Sequence, residues 1–463
     1  MERIENRTFD ELKPGDSASI ARTLSYQDVQ LFADMSGEIN PVRFDRQLAN
    51  SDSFRKVVAH GMWGGALIST VLGTELPGPG TVFLSQTLRF LKPIGLGDTV
   101  TVTVKVAQKN GADHRVTFDC AASNQRGELV IDGVAEVIAP TEKISRERAS
   151  GPEMELVEKG RHHLQLVQQA RGLDPIRTAV VHPVDTVSLL GAVEAAKAKL
   201  IIPVLVGPEG KIRAAAEQAK LDLSGYELVP TEHSHEAAAA AVALARDRKV
   251  EALMKGSLHT DEFMGAIVHE EKLRTARRMS HVFVIDAPGY PRPLFVTDAA
   301  INIYPTLEDK VDIIQNAIEL AHALGLQLPK VAILSAVETV SSKIKSTLDA
   351  AALCKMADRR QITGGILDGP LAFDNAVSEE AAKTKGIVSP VAGQADIFVV
   401  PDIEAGNMLA KQLEYLAEAE IAGIVLGARV PIILTSRADK TLARLGSCAI
   451  ALLLARHKTE AES

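Results

Sequence analysis

Apolar positions fall along this chain in two different rhythms, and the change from one to the other comes near residue 140. Residues 58–76, VAHGMWGGALISTVLGTEL, are nearly uncharged and apolar on every face, the pattern of a helix buried on most sides. Four segments follow: 81–91 (TVFLSQTLRFL), 98–108 (DTVTVTVKVAQ), 113–123 (DHRVTFDCAAS) and 128–138 (ELVIDGVAEVI). They are rich in β-branched residues, alternate roughly apolar with polar, and are separated by short Gly, Asn and Asp turns, which predicts an antiparallel meander wrapped around one helix.

A helix enclosed by such a sheet is an α+β hotdog architecture, expected for residues 1–140. Residues 141–160, preceded by Pro140, carry many charges, one further proline and no sustained apolar period, and read as a linker. Beyond them short apolar strands, IIPVLVG (201–207), HVFVID (281–286), KVAILSA (330–336), ADIFVVPD (395–402) and VPIILTS (430–436), alternate with alanine-rich helical stretches such as HEAAAAAVALARDRKV (235–250). That alternation predicts α/β structure with mainly parallel sheets and helices on both faces. The expected organisation of 161–463 is two lobes, lobe I from about 161–292 plus 425–463 and lobe II from about 293–424.

Composition narrows the partners. The 463 residues are 46% apolar with mixed charges, and no run approaches the ~18 apolar residues of a membrane span, so a soluble multidomain protein is expected. A net charge of −8 without a basic tract argues against nucleic acid, leaving small molecules as ligands. The acidic, polar start MERIENRTFDELKPGD lacks an export pattern, which implies a cytoplasmic protein. Cys120, Cys354 and Cys448 are scattered without metal-ligand spacing and read as buried, reduced thiols.

SGEINPVRF (36–44), followed by HGMWGG (60–65), resembles the active-site loop and helix start of the MaoC-like family of (R)-specific enoyl-CoA hydratases. The family loop reads Ser-Gly-Asp-x-Asn-Pro-x-His, and its Asp and His together activate the water that adds to the enoyl double bond. Ser36, Gly37, Asn40 and Pro41 match, whereas Glu38 replaces the Asp and Arg43 the His. A guanidinium with a pKa above about 12 exchanges no protons near neutrality. The resemblance therefore implies a hydratase-like domain that is weak or inactive and kept for acyl-CoA binding or assembly, with true bifunctionality as the alternative. His60 and Gly61 survive, and a backbone N–H there is placed to hold a thioester oxygen.

The second half has its own chemistry. In VPIILTSRADKTLARLGSCAIALLLA (430–455) a buried strand ends at Leu434, Thr435, Ser436 and Arg437 follow, and a helix starts with Asp439 in its first turn. Arginine at a strand end beside a helix N-terminus makes an anion site. KGSLHTDEFM (255–264), RTARRMSHVFVIDAPGYPRPLFVTDAAINIYP (274–305), DGPLAFDNAVS (368–378), SPVAGQADIFVVPDIEAGNMLAK (389–411) and TSRAD (435–439) resemble, in order and spacing, the phosphate acetyltransferase and phosphate butyryltransferase family. The resemblance implies two isocitrate dehydrogenase-like lobes with the active site between them, an acyl group moved between coenzyme A and phosphate, no cofactor beyond these substrates, and a homodimer or larger homo-oligomer.

On that resemblance Arg437 pairs with phosphate, Ser436 donates to phosphate or the developing oxyanion, and Asp439 is the provisional base toward the thiol. Lys255, His259, Arg274, Arg278 and Asn407 are substrate-binding candidates; for Lys255 and His259 helix capping competes, and for the RTARR cluster a solvated helix face. His233 and His235 in TEHSHE lack a third ligand, so no metal is expected. GPEGKIR (207–213) lacks nucleotide-loop spacing. The alternative from another class is a non-catalytic acyl-CoA sensor.

Overall fold

A computed structural model of the chain describes residues 3–38, 59–147, 159–434 and 440–462. The chain divides into two compact units, 1–156 and 157–463.

In the first unit the strands are β1 (Arg3–Glu5), β2 (Ser17–Thr23), β3 (Val82–Phe90), β4 (Thr99–Asn110), β5 (Arg115–Asn124), β6 (Leu129–Ile138) and β7 (Ser145–Glu147). Five of them form an antiparallel sheet in the order β2-β4-β5-β6-β3. Helix Gly61–Thr74 packs against it, starting within the segment whose uniform hydrophobicity predicts burial, with Trp63, Leu67, Ile68, Val71 and Leu72 in the core. Each such side chain removed from water contributes about 1.5–3 kcal/mol, so the helix is held by tertiary burial more than by its glycine-rich sequence. The alternation in β4 and β5 is equally direct: Val100, Val102, Val104, Val106, Val116 and Phe118 face inward. One part of the expected linker is structured, since β7 pairs antiparallel with β1 and closes the unit onto its own start.

In the second unit the strands are β8 (Ile176–Val181), β9 (Ile201–Gly207), β10 (Glu227–Pro230), β11 (Ala252–Lys255), β12 (Ser280–Asp286), β13 (Leu294–Thr297), β14 (Lys330–Leu334), β15 (Ile366–Leu371), β16 (Ile397–Val399), β17 (Glu420–Leu426) and β18 (Ile432–Ile433). All eleven belong to one sheet, ordered β10-β9-β8-β11-β18-β17-β12-β13-β16-β14-β15. Parallel pairing runs from β10 to β18 and again from β13 to β15, while β17 and β12 pair antiparallel with each other and with the strands flanking them. The two parallel blocks therefore run in opposite directions.

Register decides where their ends fall. A single row of paired Cα positions crosses the sheet through Met254, Ile433, Ile424, Val282, Thr297, Val399 and Ile333. Ile433, Thr297 and Val399 are the last residues of their strands, and Met254 and Ile333 are one residue from theirs. The carboxyl ends of both blocks thus converge on the β12/β17 ladder, a change of strand direction of the kind at which α/β sheets open a crevice.

Cys120 and Cys448 are buried and Cys354 partly so; burial pushes their thiols up, to about 11 for Cys120 and about 12 for the other two. No helix of the described residues is long and apolar enough to cross a membrane.

Candidate active site

At the convergence of strand ends lies a cleft of about 1160 Å³. Lys255, the last residue of β11, lines it together with His259 and Thr260 at the start of helix Thr260–His269. The turn between them is fixed by Gly256: its N–H donates to the Val181 carbonyl at 2.9 Å, and a Cβ there would come within 2.3 Å of that same oxygen. No other residue permits this crossing, which delivers the helix N-terminus, with its unpaired N–H groups, to the cleft. His259 sits at the N-cap without capping it through its side chain.

The opposite wall is helix Ile403–Leu416, whose N-cap Asp402 accepts from the Ala405 N–H at 2.9 Å. Gly406 lets the helix approach Ala299, since a Cβ would stand 2.9 Å from the Ala299 Cβ. Asn407, next in line, donates to the Ala299 carbonyl at 3.3 Å and lines the cleft with Glu404, Lys411 and Glu414. The floor is the sheet itself: His281 and Phe283 from β12, Ile421 and Gly423 from β17, and Leu434 just past β18. His281 is only 1% exposed, and burial pushes its imidazole down to about 4 against the opposing pull of the Asp298 charge.

Two candidates stand elsewhere. Arg278 donates from Nε to the Asn302 side chain and pairs with Asp309 at 3.1 Å; Arg274 donates from Nε to the Val268 carbonyl at 2.8 Å. Neither is among the residues lining the cleft. Asn302 in turn donates to Asp298, a buried carboxylate that also accepts from the backbone N–H groups of Ala300, Ile301 and Asn302, so Arg278 is tied into the network that shapes the loop after β13. His233 caps helix Ser234–Arg246 by accepting from the Glu236 N–H, and His235 pairs with Glu262 at 2.9 Å.

The first unit holds a polar pair of its own. Glu38 Oε2 lies 3.0 Å from His60 Nε2, and His60 Nδ1 accepts from the Met62 N–H at 3.1 Å as the N-cap of helix Gly61–Thr74. An accepting Nδ1 puts the proton of the neutral ring on Nε2, the atom nearest the Glu38 carboxylate. Phe32 stacks on the imidazole with centroids 5.0 Å apart, and a Cβ on Gly61 would come within 3.2 Å of the Phe90 ring. Asn40 and Arg43 lie outside the described residues, as do Ser436, Arg437 and Asp439.

Comparison with known proteins covers both units. The phosphate acetyl/butaryl transferase family matches residues 231–452. A phosphate acetyltransferase of Rhizobium meliloti is 61% identical over 299 residues, 64% of this chain and 95% of that protein. The chain belongs to the phosphate acetyl/butyryltransferase family. Within the family, a phosphate butyryltransferase of Clostridium acetobutylicum is 40% identical over 295 residues, 64% of this chain and 98% of that protein. Among solved structures, a branched-chain phosphotransacylase from Enterococcus faecalis V583 superposes with a TM-score of 0.54 at 29% identity, covering 60% of this chain and 99% of that one. Ahead of the transferase region, residues 12–124 match the MaoC like domain.

For this phosphate acyltransferase family member the cleft brings together Lys255, His259 and Asn407 of the residues expected from sequence. Sequence reasoning missed His281, Phe283, Ile421 and Gly423. They sit mid-strand, where apolar alternation signals only a sheet, and nothing local announces that one face of that sheet floors a cleft. The one available signal is a histidine directly before the apolar run VFVI in SHVFVID.

Proposed function

We propose that the chain transfers a short acyl group between coenzyme A and inorganic phosphate, with no further cofactor. The observation that carries this reading is a cleft at the meeting of strand ends that joins a cationic, helix-N-terminal wall to an apolar floor, in a chain of this family. In the forward direction a phosphate oxygen attacks the thioester carbonyl, a C–O bond forms, the C–S bond breaks, and the proton of hydrogen phosphate ends on the departing thiol. Phosphate and thioester must be held at attack distance in one ternary complex.

Residues 435–439 follow cleft-lining Leu434 directly in the chain, which supports the assignment of Arg437 to phosphate, Ser436 to the oxyanion or phosphate, and Asp439 to the thiol proton. Lys255 and the N-terminus at His259 add positive potential, and Asn407 a neutral donor. Arg274 and Arg278 remain assigned to coenzyme A phosphates, reached from outside the cleft. We read the two oppositely directed parallel blocks as two isocitrate dehydrogenase-like lobes, and the protein as cytoplasmic.

The first unit is read as an acyl-CoA-binding hotdog with weak or absent hydration, because a carboxylate–imidazole pair, Glu38 with His60, persists while Arg43 exchanges no proton. Among the described residues its β3 pairs on one side only and exposes Val82, Leu84 and Phe90, which supports a homodimer or larger assembly through a second copy; sedimentation as a monomer at micromolar concentration contradicts that. The transferase reading is tested by thiol release from C2–C4 acyl-CoA: release that depends on phosphate supports it, and tight acyl-CoA binding without turnover replaces it with a sensor.

A further inference from the structure

The last paired row of the first parallel block runs through Val206 on β9, Val181 on β8 and Lys255 on β11. One residue further along β8 stands His182, with Gly207 following Val206 on one side and Gly256 following Lys255 on the other. His182 leaves the strand with φ of 56°, in the left-handed region that residues other than glycine rarely enter. Lys199, Lys220, Arg248, Arg360 and Glu418 share that conformation, each one residue past a helix C-cap, which is an ordinary way to end a helix. His182 ends a strand, so its conformation needs another cause.

The cause lies in its bonds to both neighbouring strands. Its N–H donates to the Val206 carbonyl at 2.7 Å, and its own carbonyl accepts from the Ser257 N–H at 2.9 Å. The ring takes the other side of the same serine: Nδ1 lies 3.0 Å from the Ser257 carbonyl oxygen. A carbonyl only accepts, so the neutral ring carries its proton on Nδ1 and donates it there. Both glycines make room for this crossing. A Cβ on Gly207 would come within 3.3 Å of His182 Cα, and one on Gly256 within 3.0 Å of the His182 carbonyl carbon and oxygen.

Ser257 is the middle of the turn that carries the cationic wall of the cleft. Lys255, Leu258, His259 and Thr260 line the cleft around it, and His182 is not among the lining residues. Bonds to both the N–H and the carbonyl of Ser257 fix the peptide planes on either side of it, between Lys255 and the start of helix Thr260–His269. The helix that His182 leads into, Thr186–Lys197, is closed by its own N-cap Asp185, which accepts from the Ser188 N–H at 2.8 Å. Helix Thr260–His269 has no side-chain cap, so its positive end is the one left to the cleft. That potential fades within one helical turn, and a displacement of about 1 Å is enough to weaken its action on a bound anion.

We propose that His182 is a positioning residue for acyl transfer: its carbonyl and its Nδ1–H together set where Lys255 and the open start of helix Thr260–His269 meet the anionic substrate. The proposal rests on the transferase reading given above. His182 touches no substrate and acts through Ser257.

Three variants of the full chain test it. His182→Asn keeps a side-chain N–H near the place of Nδ1 and tolerates a left-handed backbone; His182→Ala removes the donor; His182→Gly removes the donor and relieves the backbone strain. With acetyl-CoA and phosphate, kcat/KM is expected to fall on the order of tenfold or more in His182→Ala and His182→Gly, and to stay within about threefold of wild type in His182→Asn. Thermal unfolding midpoints are expected to follow a different order, with His182→Gly at or above His182→Ala. Calorimetric titration with phosphate and with coenzyme A, each alone, reads the wall without turnover: affinity for at least one of them weakens about fivefold or more in the two donorless variants and not in His182→Asn. Activity that tracks the unfolding midpoint across the variants, a loss in His182→Asn equal to that in His182→Ala, failure of His182→Gly to fold, or unchanged activity and affinity in the donorless variants overturns the proposal. A wild-type chain without phosphate-dependent turnover overturns the transferase reading, and the titrations then decide on His182 alone.

Discussion

At the scale of single residues the account turns on which groups carry charge. An arginine holding phosphate removes repulsion from a transition state, so Arg437→Ala or Arg437→Lys is expected to lower turnover about 100-fold or more while the thermal unfolding midpoint stays put. Turnover within a fewfold of wild type would place the phosphate elsewhere. His281 gives a different signature, in stability. Its folded-state pKa of about 4 lies below the unfolded value of 6.5, so as pH falls through 6.5 the unfolded chain gains a proton that the folded chain refuses. Stability is therefore complete above that value and lost as pH drops toward 4, amounting to ~2 kcal/mol at pH 5. His163, also pushed down chiefly by burial, acts in the same direction and remains in both proteins, so comparing wild type with His281→Phe isolates one histidine. Urea unfolding at pH 7.5 and pH 5 should show a smaller acid loss in the variant. Equal losses mean that the His281 ring is charged in the folded state.

At the scale of elements, the cleft is held by strand ends and by two helix starts. Asp402→Ala removes the cap of helix Ile403–Leu416 and is expected to destabilise by about 1 kcal/mol in urea unfolding, with a raised KM for coenzyme A because Asn407 and Lys411 ride on that helix. No change in either quantity would detach the helix from the site. Elements of this kind were legible in the sequence. The uniform run around Trp63 announces a helix buried on most sides, although Ala66, Ser69, Thr70 and Gly73 leave one side of it exposed, and the Val-Thr alternation of β4 announces one face in and one out. Register was not legible. That Met254, Ile433 and Thr297 fall on one row depends on pairings between residues far apart in sequence, and a two-residue strand such as β18 carries no period at all. The pairing of Glu38 with His60 was hidden for the same reason: the loop motif names one partner, and only the fold brings the other.

At the scale of the whole molecule, one chain carries two compact units, one matching the MaoC like domain and one of the phosphate acetyl/butyryltransferase family. Glu38→Gln removes the carboxylate that the first unit retains, so any residual hydration of crotonyl-CoA, followed by loss of ultraviolet absorbance, should vanish while phosphate-dependent release of coenzyme A stays within about twofold. Hydration as fast as in ordinary hydratases would show that the Glu38–His60 pair suffices without a second loop imidazole. The central claim is that phosphate is a stoichiometric acyl acceptor. Phosphorus-31 NMR of the purified chain with butyryl-CoA and inorganic phosphate measures it directly. The account predicts that an acyl phosphate resonance grows as the phosphate resonance declines, one for each coenzyme A thiol released, and that both changes are largely lost in Arg437→Ala. Thiol released at the same rate without phosphate, or with no acyl phosphate formed, would contradict it.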